Sequence, residues 1–118
     1  MATARELVRC ALDEWGVDWL VDDAAVVTSE LVTNSLNAEP RRIVFTIDHE
    51  RRAGTVHITV WDDASGAPEL REPDYVSQSG RGLHIVNGLS AEWGWERAEG
   101  LGGKYVWAKL GPKPEDPA

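Results

Sequence analysis

Ala24-Ala-Val-Val-Thr-Ser-Glu30-Leu-Val-Thr-Asn34-Ser-Leu-Asn-Ala38 holds one charged side chain, Glu30, in fifteen residues. A helix this apolar is mostly buried. A carboxylate inside it is costly unless it is paired, hydrogen-bonded or beside a metal. Residues four apart share a helix face, so the Glu30 carboxylate and the Asn34 amide converge on one spot. Asn34 also continues the seam of Leu20, Ala24, Val27 and Leu31 rather than the solvent face. A hard cation with its phosphate, and a group that must lose a proton, need this kind of pair.

This helix is expected from about Asp18 to Ala38, with Pro40 preventing its continuation. Ahead of it, Thr3 to Trp15 places Leu7, Val8, Ala11, Leu12 and Trp15 on one helical side. Thr3 and Glu6 form a capping-box pattern, and Gly16 stops the helix. Cys10, within that amphipathic pattern, reads as a small core residue. After Pro40 the period changes to two. Ile43, Phe45 and Ile47 alternate with Val44, Thr46 and Asp48, and Val56, Ile58 and Val60 alternate with His57, Thr59 and Trp61. Arg51 to Gly54 supply the turn between these strands. Asp62 has the parity of Val60 and so leaves its strand on the core side, which is unusual for an aspartate. Asp63 beside it reads as the ordinary strand-end turn residue. Trp61, on the opposite face, is the tryptophan expected to be exposed as a partner contact.

Residues 63–79 read as a long loop. Gly80-Arg81-Gly82 then opens a third helix with Leu83, Ile85, Val86 and Leu89, in which His84 reads as a surface or packing residue. Strands at about 91–98 and 104–110 close the domain, separated by Gly100, Gly102 and Gly103. Residues 1–111 thus make one domain, and 112–118 read as a disordered tail. The order of elements predicts an α/β two-layer sandwich (α+β), with a mixed, mostly antiparallel sheet and helices packed on one face.

The formal net charge of -8 and the lack of a basic stripe argue against nucleic acid as a partner. They also argue against anionic membrane surfaces, and no signal peptide or spanning apolar run is present. One cysteine excludes an internal disulfide, and a reduced, cytoplasmic setting is expected.

Four motifs fall in a fixed order. Glu30-Leu-Val-Thr-Asn34 resembles the N box of the GHKL (histidine kinase-like, Bergerat-fold) ATPases. Val60-Trp-Asp62-Asp-Ala-Ser-Gly66 resembles that superfamily's first glycine box, Gly80-Arg81-Gly82-Leu-His-Ile-Val86 its second, and Gly103-Lys104-Tyr-Val-Trp107 its closing motif. The resemblance is nearest to the small bacterial branch of anti-sigma-factor serine kinases. It implies ATP and Mg2+ as cofactors. Asn34 would ligate the metal, and Glu30 would accept the proton of an attacking hydroxyl. Asp62 would accept the adenine amino proton. Gly66, Gly80 and Gly82 would let backbone close over the phosphates, with Gly82 and Leu83 offering N–H groups. Arg81 or Lys104 would balance phosphate charge. A sigma factor or its antagonist is the implied protein partner, and an exposed edge strand invites pairing with a second copy of the chain.

Two positions depart from the pattern. Ala64 replaces the middle glycine of the first box, and Tyr105 stands where a threonine would reach a phosphate. They support an alternative: a non-catalytic interaction module on the same fold, with weak or no nucleotide binding.

Overall fold

The computed structural model describes residues 2–66 and 82–112. Helix α1 spans Ala2–Trp15, a 3₁₀ turn covers Asp18–Leu20, and α2 runs Val21–Asn37. Strands β1 (Ile43–Glu50) and β2 (Thr55–Asp62) precede α3 (Gly82–Leu89), and β3 (Glu92–Arg97) and β4 (Lys104–Leu110) follow it. Thr3 lies inside the first turn of α1, not ahead of it as a cap. Helix ends fray, and a boundary moved by one or two residues changes which residue caps.

Local chemistry sets the breaks. Gly16 adopts φ 73°, which lets the Val17 N–H turn back to the Leu12 carbonyl at 3.0 Å and closes α1. Glu39 takes a left-handed φ of 55° after α2, and Pro40 then bars further helix. The β1–β2 turn closes through the Gly54 N–H, 2.9 Å from the Glu50 carbonyl.

The described strands form one antiparallel sheet in the order β1-β2-β4-β3. The helices cover one face, with α2 lying over β2 between α1 and α3. Val8, Leu12, Val27, Leu31, Ile58, Val60, Val106 and Leu110 have no exposed surface. Burying each such side chain contributes about 1.5–3 kcal/mol, so this layer interface is what holds the sandwich. Trp15 at the end of α1 stacks on His49 of β1, with ring centroids 5.2 Å apart. The Trp93 indole N–H donates to Asn87 Oδ1 at 3.0 Å and ties β3 to α3.

Three expectations of burial change. Cys10 is exposed, because the buried stripe of α1 is Val8 and Leu12, and Leu7 is exposed beside it. Trp61 is buried, because the turn before β4 folds across it and takes its indole N–H on the Gly102 carbonyl at 2.9 Å. The exposed tryptophans are Trp19 and Trp95 instead. No described helix is long and apolar enough to cross a membrane.

Candidate functional site

One end of the sheet carries a row of four cross-strand partners: Ile43, Asp62, Lys104 and Arg97. Their parity matches the buried residues of β2 and β4, so the row faces the helices. Asp62 and Lys104 are almost wholly enclosed, at 0% and 1% exposure. Lys104 Nζ donates to Asp62 Oδ1 at 2.8 Å, and the Ala64 N–H donates to the same oxygen at 3.1 Å. Asp62 Oδ2 is buried and, among the described residues, has no hydrogen-bond partner. A buried carboxylate oxygen without a donor is rare and marks a place where water, an ion or a ligand completes the bonding.

Gly103 makes this arrangement possible. Its φ is 78°, and an added Cβ would collide with the Asp62 carbonyl oxygen and stand 2.7 Å from Asp63 Cα. Only a residue without a side chain lets the chain entering β4 lie against the end of β2.

Helix α2 contributes Glu30 and Asn34, both half-buried and one turn apart. No hydrogen bond or ion pair joins either to Asp62 among the described residues. The buried arc of α2 instead includes Thr28 and Ser35, whose hydroxyl oxygens are enclosed and unpartnered. On α3, His84 is half-buried and its Nε2 is likewise enclosed and unpartnered among the described residues. Among the described residues, four buried, unpartnered polar atoms therefore lie on α2, β2 and α3, and Ser90 Oγ, just past α3, is a fifth. Glu30 also borders a groove of about 290 Å³ between α1 and α2, lined by Arg5, Arg9, Ser29 and Val26 among others. No three His, Cys, Asp or Glu side chains gather into a metal cage among the described residues.

The turn leaving β2 is held at several points. Asp63 Oδ1 accepts the Arg41 N–H at 2.8 Å and the Arg42 N–H at 3.2 Å, fixing the approach to β1. The Arg42 backbone N–H, aided by that of Arg41, holds the Asp63 carboxyl below the usual aspartate range. Farther along, Arg97 Nη1 donates to the Ser65 carbonyl at 2.9 Å. Gly66 is the last described residue before the gap. Gly80, Arg81 and residues 67–79 lie outside the described residues, as does the tail from 113, while Gly82 and Leu83 begin α3.

Asp62 and Lys104 are thus in direct contact, and Lys104 stands on the carboxylate rather than free for a phosphate. Tyr105 pairs with Trp61 on the outer face, opposite Asp62, so the residue facing the helices at this step of β4 is Lys104. Ala64 uses only its N–H, and its φ is not left-handed. Sequence reasoning did not find Arg97, Thr28 or Ser35. Arg97 shares the parity of Trp93 and Trp95, which was the one available signal.

No curated protein matches the chain. A family model described as histidine kinase-, DNA gyrase B- and HSP90-like ATPase matches residues 21–114, from the start of α2 through β4. That span holds Glu30, Asn34, Asp62 and Lys104 and covers most of the sequence, and on that match the chain belongs to the histidine kinase-, DNA gyrase B- and HSP90-like ATPase family.

Proposed function

We propose that this chain binds Mg-ATP and acts as a regulatory serine/threonine kinase on a bacterial partner, a sigma factor or its antagonist. The observation that carries the reading is Asp62 Oδ2, a buried acceptor without a donor, at the end of β2 beside Lys104. An exocyclic amino group satisfies such an atom, and an oxo group facing it does not.

Mg-ATP supplies an activated phosphoryl group and a divalent charge that screens it. Asn34 would be the protein's ligand to a magnesium ion, whose remaining positions phosphate and water would fill. Glu30 accepts the proton of the attacking hydroxyl, which reaches it through the groove between α1 and α2. Asp62 selects the base. Gly66, Gly80 and Gly82 let backbone approach the phosphates, the Leu83 N–H at the start of α3 faces negative charge, and Arg81 balances it. Lys104 acts through Asp62, whose carboxylate it holds in place, rather than on a phosphate.

Calorimetry with ATP and magnesium tests the site. Wild type binds, and Asn34→Ala loses the heat of binding. Equal binding by the two proteins refutes the assignment. With a hydroxyl-bearing partner, Glu30→Gln lowers transfer at least about a hundredfold, the contribution of a positioned base.

A second reading, a non-catalytic interaction module with weak or no nucleotide binding, is favoured by one observation. Asp62 Oδ1 is already taken by Lys104, and the carboxylate has no exposed surface. This reading predicts no binding of wild type at millimolar nucleotide.

A further inference from the structure

Helix α3 and its neighbours cover the inner face of β3 at Trp93 but not at Trp95 and Arg97. Trp95 is 38% exposed although its parity points it toward the helical layer. The Arg97 guanidinium carbon lies 5.7 Å from the centre of the Trp95 ring, within the range of a cation–π contact. From that platform Arg97 reaches across to the turn after β2 and donates to the Ser65 carbonyl at 2.9 Å. The near end of the turn is secured by Asp62 and Asp63. Among the described residues, Arg97 alone bonds its far end, next to Gly66.

We infer that Arg97 is a positioning residue, a latch that fixes the Ser65–Gly66 segment over the Asp62–Lys104 pair and so preorganises the proposed nucleotide site. Trp95 is its platform, with the guanidinium carbon 5.7 Å from the ring centre. The inference rests on the nucleotide-binding reading above. The Arg97 side chain is exposed, so it does not serve the core, and its loss leaves the fold intact. A charge-assisted hydrogen bond that orders a loop in advance is felt in affinity instead.

The test uses the full chain as wild type, Arg97→Ala and Arg97→Lys. Three quantities are read: the thermal midpoint without nucleotide, amide exchange at residues 64–66, and Mg-ATP affinity. In Arg97→Ala the midpoint stays within about 3 °C of wild type, as for a surface substitution. Exchange at 64–66 quickens, and ATP binding weakens about tenfold, the equivalent of one such hydrogen bond. Arg97→Lys keeps a donor and recovers part of the affinity. If Arg97→Ala exchanges at 64–66 like wild type, or binds ATP equally well, the latch is refuted while the nucleotide reading stands. If wild type itself binds no ATP, the nucleotide reading falls and takes the latch with it.

Discussion

Replacing Lys104 by methionine removes a cation but keeps most of its volume. The pair it belongs to is enclosed on both sides, with 1% and 0% side-chain exposure and a contact of 2.8 Å. What remains is a buried carboxylate with one backbone donor, Ala64, on Oδ1 and none on Oδ2. Breaking a buried pair from one side costs about 3–5 kcal/mol, because the surviving charge is uncompensated. That is a fifth or more of the stability of an ordinary domain, which lies at about 5–15 kcal/mol. At about 4 °C per kcal/mol for a chain of this size, the thermal midpoint falls by roughly 12–20 °C. Urea unfolding followed by tryptophan fluorescence measures the free-energy loss, and a thermal scan measures the shift in midpoint. The double variant Lys104→Met/Asp62→Leu removes both charges and returns to near wild-type stability or above. A loss below about 1 kcal/mol in the single variant, the size of an exposed pair, together with no recovery in the double, would refute the claim that this pair is buried and mutually dependent.

Gly103→Ala places a methyl group against the Asp62 carbonyl in a left-handed backbone, so it destabilises by at least about 2 kcal/mol and perturbs nucleotide binding together with folding; an unchanged urea midpoint argues against the close approach. Asp63→Asn tests the strand-end clamp by pH. The folded carboxyl sits below its ordinary value of about 4, so its contribution is present above that value and fades as pH falls through the lower folded one. Wild type is therefore the more stable protein at neutral pH, and its advantage over Asp63→Asn shrinks below about pH 4; parallel curves would contradict this. Gly94→Ala meets Trp107 Cζ2 at 2.8 Å, so the indole must move. Near-ultraviolet circular dichroism changes, and stability drops by about 1–3 kcal/mol, the usual cost of overpacking, here on the outer face of the sheet; an unaltered spectrum argues against that packing.

The helices and strands were legible because their periods are strong. The seam of Leu20, Ala24, Val27 and Leu31 is buried as its spacing demands, and β4 begins and ends where the alternation does. Asp62 was legible for the same reason, since parity alone placed it inward. Tyr105 was misjudged because a motif letter carries no facing. Its direction depends on which residue opens the strand, and Lys104 does so on the inner side. Trp61 was misjudged because its exposure depends on a turn 41 residues away that folds over it, a contact no local pattern encodes. Arg97 left no trace in the motifs because its partner, the Ser65 carbonyl, is backbone and has no residue type.

Two facts of the structure bear on the sequence departures that favoured a degenerate module. An alanine is strained where a glycine is needed for a left-handed backbone, but Ala64 is not in that region and serves through its N–H. A tyrosine blocks a phosphate only if it faces the site, and Tyr105 lies on the other side of the sheet. What weighs against nucleotide binding is instead the cation on Asp62 Oδ1. A ligand amino group bound at Oδ2 leaves that ion pair whole, whereas one that needs both oxygens must displace an ammonium enclosed with its counter-charge, at a cost comparable to breaking the pair. Nucleotide affinity in this chain is therefore governed by whether one carboxylate oxygen suffices to read the base. Comparing ATP with inosine triphosphate, which presents an oxo group at the same position, isolates that oxygen. A single-acceptor reading requires ATP to bind at least about a hundredfold tighter, because two acceptors would otherwise face each other without a proton. Equal affinity would mean that Asp62 does not touch the base.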